Sequence, residues 1–268
     1  MIYICYGITK SASTFLYQLT EELFSAAGYT VCRIRRPKRG DRENYYDQIT
    51  APLIDKIERR AKGRAVVLKT HGRLDPAVAR YIEDGRVKAC ATYRDPREIA
   101  MSMADNGARS RELGILPFSE IVKPEDALPS IDLQIAYLAE WLAVPGVETF
   151  SYNEVCFSTC NALRRIRDQI GVTVDDDIST IPFRNRMLIG QFNVGKPLRY
   201  RDMDEATQAV FLERYQSFYS TIDLDEGLIE AVDLSGAHPR GARIHRLEAT
   251  LRLLRRLVKT KSLGTIVP

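Results

Sequence analysis

A chain of 268 residues with 45% hydrophobic and 28% charged residues can bury a full α/β core and has the composition of an ordinary soluble enzyme. Its formal net charge of +4 is modest and comes from basic clusters at 33–42 and 240–261, which suits an anionic cofactor or surface and gives no case for a nucleic-acid partner. Five cysteines show no disulfide-framework spacing, and with three histidines, none near Cys156 and Cys160, a metal site has little support.

Residues 2–6 form a short apolar run that reads as a buried strand. A loop of small and hydroxylated residues follows, from Gly7 through Thr9, Lys10, Ser11, Ala12, Ser13 and Thr14. Phe15, Leu16, Leu19 and Leu23 then fall at helical spacing. Strand, tight loop and helix together present backbone N–H groups and a positive helix end to an anion such as phosphate, and Lys10 adds a mobile charge. The plain alternative is an ordinary strand-to-helix turn with Ser or Thr as its cap.

Residues 28–34 read as a turn and a second strand, 33–42 as a basic loop, and 45–62 as a helix whose first turns Pro52 disturbs. Residues 65–68 form a third strand that ends in Lys69, Thr70, His71, Gly72 and Arg73. Functional groups collect at the carboxyl ends of strands in open α/β sheets. His71 stands at such an end among cations that favour its neutral form, so it is a candidate proton acceptor.

A short helix over 76–84 leads to a fourth strand, 87–93, ending in Arg94, Asp95, Pro96 and Arg97. Pro96 is a natural first-turn residue for the helix carrying Ile99, Ala100, Met103 and Ala104. Arg94 and Ser102 can address one phosphate; alternatively, Arg94 pairs with Asp95 or Glu98. Residues 106–129 read as loop-rich, a lid or an acceptor-binding region. A helix over 131–143, a fifth strand over 147–152 and a helix over 155–170 stopped by Gly171 follow. Residues 184–201 read as a long basic loop over an anionic ligand, and 203–219 as a helix. The last basic stretch, 240–261, is an amphipathic helix that either packs on the body or a second subunit or lies on an anionic membrane. No signal-peptide or transmembrane run precedes the first strand, so a reducing, cytoplasmic location is expected, with peripheral membrane contact as an option.

Three strand ends therefore carry chemistry: Lys10 with its loop, Lys69 with His71, and Arg94 with Ser102. The spacing Gly-x4-Gly-Lys-Ser/Thr is absent, which argues against a standard Mg²⁺-dependent nucleotide triphosphatase or kinase.

These residues resemble the sulfotransferases that use 3′-phosphoadenosine 5′-phosphosulfate (PAPS). Residues 8–15 look like that family's 5′-phosphosulfate loop, with Ala12, Ser13 and Phe15 where Gly, Thr and Trp are usual. Lys69-Thr70-His71 matches its Lys-Thr-His, and Arg94 with Ser102 eight residues on resembles its 3′-phosphate site. The segment 151–155 looks like the family's Tyr-Glu-Asp stretch, whose Tyr meets the adenine.

The resemblance implies a three-layer α/β/α fold with a central parallel sheet and a P-loop-like phosphosulfate loop. The resemblance covers about residues 2–215; length and the late basic stretch divide the chain into one α/β domain over 1–235 and a C-terminal basic helix and tail over 236–268. The resemblance also implies transfer of a sulfuryl group from PAPS to an acceptor hydroxyl or amine, leaving 3′-phosphoadenosine 5′-phosphate (PAP) and needing no metal. His71 would be the base, assisted by Lys10 and Lys69. Thr9, Lys10, Ser11, Ala12, Ser13, Thr14, Phe15, Arg94, Ser102 and Tyr152 would hold the donor. Lys196 and Arg199 are candidates for its 3′-phosphate. A carbohydrate, lipid-linked or small-metabolite acceptor is open. The alternatives are a P-loop-like phosphotransferase and a non-catalytic adaptor or membrane-surface protein with the same fold.

Overall fold

The structure, a computed structural model, describes residues 1–34, 44–174 and 197–230. Four parallel strands form its sheet: β1 (Ile2–Gly7), β2 (Val66–Thr70), β3 (Val87–Tyr93) and β4 (Val147–Ser151), in the order β2-β1-β3-β4. Cα register pairs Tyr6 of β1 with Thr70 of β2, Gly7 with Thr92 of β3, and Tyr93 with Ser151 of β4. The carboxyl ends of all four strands therefore reach one edge.

Side chains alternate across the sheet with the period of two that strands impose. Ile2, Ile4 and Tyr6 join Val66, Leu68, Ala89 and Ala91 in one core layer. Tyr3, Cys5, Val67 and Cys90 face the other layer. Helices cover both faces, which is why the strands are near-continuous apolar runs. One layer takes α2 (Ala51–Ala61), α3 (Pro76–Glu83), α4 (Pro96–Leu113) and α5 (Leu128–Leu142). The opposite layer takes α1 (Ser13–Ala26), α6 (Tyr152–Phe157) and α7 (Thr159–Ile170). The chain then adds α8 (Glu205–Arg214), α9 (Gln216–Thr221) and α10 (Gly227–Glu230). The three-layer α/β/α expectation holds. Among the described residues, no helix is long and apolar enough to cross a membrane.

Several boundaries differ from the sequence reading. Residues 28–34 make one bridge, Val31 to Ala65, instead of a strand. The cause is Asn44, whose amide donates to the Cys32 and Val67 carbonyls and whose Oδ1 accepts from Ile34 N at 2.5 Å. A side chain thus stands where a strand ladder would continue. The helix expected from 45 starts at Ala51, because residues 44–46 bond along the end of β2, and Pro52 lies in the first turn, where no N–H is needed.

The region 106–129 is less irregular than expected, since α4 continues to Leu113 and Gly114 closes it in the left-handed conformation at φ 63°. Tyr152 opens α6 and does not end β4. The expected helices over 155–170 and 203–219 are each broken, at Ser158 and Tyr215. Residues 175–196, with Lys196, and the helix expected over 240–261 lie outside the described residues.

Candidate active site

The loop from Ile8 to Ala12 turns the chain from β1 into α1 in very little space. At Gly7 a Cβ would overlap Thr92 Oγ1 and come within 2.6 Å of Ser13 Cβ, so only glycine fits. Ser11 is fully buried, and its hydroxyl bonds to Ile8 O at 2.6 Å and Thr92 Oγ1 at 2.7 Å. Its N–H also goes to Ile8 O. Ser11 therefore shapes the loop from within. The Thr9 N–H donates to Gln134 Oε1 on α5 at 2.5 Å.

Lys10 and Ala12 both have positive φ, 73° and 64°. Ala12 sits at the N-cap of α1, where glycine would be relaxed, and no side chain caps that helix. Alternating left-handed residues ahead of an uncapped helix end give a concave set of backbone donors suited to an anion. Ser13 and Thr14 are buried in the first turn, and Phe15 is half-buried against the sheet.

β2 supplies the next groups. Lys69 Nζ donates to Thr14 Oγ1 at 2.6 Å, tying the strand end to the loop's helix. One residue past β2, His71 Nδ1 lies 2.5 Å from the Gly7 carbonyl oxygen. A carbonyl can only accept, so Nδ1 carries the proton and Nε2 keeps its lone pair. Burial pulls the imidazole down to about 4; Lys69 and Lys10 add to the fall, and the bond to Gly7 opposes it. His71 is thus neutral at physiological pH. Gly72 beside it admits the Asp47 carbonyl where a Cβ would stand, which locks the 44–50 segment against the strand end.

Lys10 Nζ sits over the Phe118 ring, 4.6 Å from its centroid. Burial pulls this ammonium down to about 8, with Arg109 and Lys69 contributing. Tyr45, bridged to Lys69 by backbone, lies 5.6 Å from His71 between ring centroids.

At the end of β3 the arrangement changes. Arg94 Nε and Nη2 both reach Glu98 Oε2, at 2.9 and 2.5 Å, and Nη1 donates to the Lys10 carbonyl at 3.3 Å. Its guanidinium lies 3.6 Å from the Tyr152 ring centroid. Arg94 and Glu98 are 6% and 3% exposed, so this is a buried ion pair. Glu98 Oε1 accepts from Arg199 N at 2.5 Å, and the Arg199 guanidinium pairs with Asp105 at 2.8 Å. Ser102 is buried on the same face of α4, between Glu98 and Asp105 in helical spacing. Arg94 thus makes the ion pair that its spacing to Glu98 allows, with its guanidinium also stacked on Tyr152.

The predicted residues converge into two groups. Lys10, Thr14, Lys69 and His71 come together at the ends of β1 and β2, with Ser11 and Phe15 turned into the fold; Arg94, Tyr152 and, through Glu98, Arg199 form a second group, joined to the first by the Arg94–Lys10 bond, and Ser102 is buried on α4 beside it. Gln134, Phe118 and Tyr45 join the site from distant segments that no local pattern links. Glu98 carries a signal in its spacing, four residues from Arg94.

No protein-family model matches the chain, and no curated protein matches it by sequence. Its architecture does match solved structures. The chain superposes on mouse sulfotransferase SULT7A1 complexed with PAP at a TM-score of 0.52 and 12% identity, covering 86% of this chain and 88% of that one. It matches retinol dehydratase in a complex with retinol and PAP at 0.54 and 16%, over 83% and 82%. Retinol dehydratase with androsterone and PAP gives 0.51 and 15%, over 84% and 81%. The chain has the fold of PAPS-type sulfotransferases.

Proposed function

We propose that this chain is a sulfotransferase that moves the sulfuryl group of PAPS to an acceptor hydroxyl or amine, with His71 as the base. The observation that carries the reading is the His71–Gly7 bond. It fixes the imidazole proton on Nδ1 and leaves a neutral Nε2 beside the Lys10–Thr14 cradle. The solved structures that share this fold over most of their length hold PAP, which supports the choice of donor.

The residues suit such a donor on their own terms. The loop with Gly7, Lys10 and Ala12, the uncapped start of α1, and the Thr14 and Lys69 pair supply hydrogen-bond donors and positive charge. PAPS, when bound, supplies an activated sulfuryl group whose departure leaves negative charge on the 5′-phosphate. His71 Nε2 accepts the proton of the attacking hydroxyl. Lys10, Lys69 and the loop N–H groups stabilise the charge that develops on the leaving side. Lys69, already bonded to Thr14, is held in place for this. The second group serves the remainder of the nucleotide: Tyr152 the adenine, and Arg94 with Ser102 the 3′-phosphate, for which Arg199 and, outside the described residues, Lys196 are further candidates.

Sulfur-35 transfer from labelled PAPS across an acceptor panel tests this. We expect label on hydroxyl acceptors with wild-type protein and at least about a hundredfold less with His71→Ala, while PAP binding by calorimetry stays within about threefold. Wild-type-like transfer by His71→Ala removes the base assignment.

A further inference from the structure

The segment after α4 is held to that helix more tightly than a connection requires. At Gly107 a Cβ would overlap the carbonyl oxygens of Phe118 and Ile121. Ser110 Oγ donates to the Pro117 carbonyl at 2.5 Å, and Arg111 Nη1 donates to those of Ser119 and Ile121, both at 2.8 Å. Gly107, Ser110 and Arg111 lie at i, i+3 and i+4, so one face of α4 clasps the whole turn.

Inside the clasp Phe118 has φ 63°, a left-handed conformation that a bulky aromatic rarely adopts. Strain of this kind persists only where surrounding structure enforces it, and it gathers at functional sites. The strained residue is also the one that reaches the candidate site, since its ring centroid lies 4.6 Å from Lys10 Nζ. An aromatic face excludes water from that side, and at Lys10 this desolvation outweighs the ring's attraction for the ammonium, since burial is the leading cause of its lowered midpoint. The charged groups that act on Lys10 from the neighbouring elements are Arg109 of α4 and Lys69 of β2, with His71 beyond β2 and Arg94 on the Lys10 carbonyl.

We propose that Phe118 is a positioning residue for Lys10, its clasped turn holding the ring as the dry wall that fixes Nζ at the mouth of the loop. What Lys10 does once positioned rests on the sulfotransferase reading; where Phe118 holds it does not. The burial that lowers Lys10 to about 8 is consistent with such a wall.

The test is competitive acetylation of the full chain by acetic anhydride across pH, with the Lys10 peptide read by mass spectrometry. Glycine suits a positive φ, so Phe118→Gly removes the ring without adding strain. Its Lys10 midpoint should rise by about one pH unit toward the ordinary lysine value as water reaches Nζ. Phe118→Tyr should keep the wild-type midpoint. With transfer activity in hand, the high-pH limb of kcat should move with the labelling midpoint. An unchanged or lowered midpoint in Phe118→Gly overturns the proposal even in an active sulfotransferase. A raised midpoint in a chain that transfers no sulfuryl group sustains it and counts against the function proposed above.

Discussion

The two halves of the candidate site handle positive charge in opposite ways. At the ends of β1 and β2, Lys10 and Lys69 crowd together beside a neutral His71, against a hydroxyl, a backbone carbonyl and an aromatic ring. At the end of β3, Arg94 is neutralised on the spot by Glu98, and Arg199 by Asp105. Crowded cations raise the energy of the empty fold and make an arriving anion stabilising. A buried ion pair does the reverse, fixing a local structure whose charge is already balanced. The first half is arranged for an anion to complete it. The second must share or exchange a carboxylate before an anion can enter.

The largest expected effect tests the first half. Replacing His71 by Ala or Gln should lower turnover about 10²- to 10⁴-fold, the usual share of a positioned general base. If Gln, which cannot take a proton at this pH, keeps turnover within a few fold, the ring is only a spacer. Next comes the second half. Glu98→Gln leaves the Arg94 guanidinium buried without its counter-charge and should cost about 3 kcal/mol of stability in urea unfolding. The same variant should bind PAP more tightly than wild type, because the 3′-phosphate no longer competes with a carboxylate. Weaker binding would place the 3′-phosphate away from Arg94.

A smaller, graded effect is the pH profile. Neutral His71 and protonated Lys10 are both required, so kcat/KM should fall below a pH of about 4 and above about 8. The signs follow from burial, which disfavours charge on both groups and lowers both midpoints. An acid limb near the ordinary histidine value would mean His71 is not held as described. The smallest effect lies at Ala12. Ala12→Gly relieves a left-handed alanine at φ 64° and should raise stability by about 1 kcal/mol, or about 2–4 °C in Tm. A loss of stability there would show that the turn has another source of support.

Much of the first half was legible in the sequence because its parts are local. Strand, small-residue loop and helix lie close together at the start of the chain, and Lys69-Thr70-His71 closes a plainly apolar strand. Its walls were not legible. Phe118 reaches Lys10 because Gly107 lets a turn collapse onto α4, inside a stretch, 106–129, whose sequence reads as loop. Asn44 replaces a strand ladder with one amide, which no periodicity reports. Gln134 meets Thr9 from 125 positions away. In the second half the Arg94–Glu98 spacing was visible, but its burial, which decides between pairing and ligand contact, is a property of packing.

Thermal unfolding with PAP against ATP and Mg²⁺ tests the central claim most directly. A ligand at about a hundred times its Kd adds roughly 2.7 kcal/mol, which for a domain of this size is about 5–10 °C. The account predicts that rise with PAP and no metal, a smaller one with adenosine 5′-phosphate, and none with ATP and Mg²⁺ beyond that of ATP alone. Stabilisation by ATP and Mg²⁺ with none by PAP would contradict it.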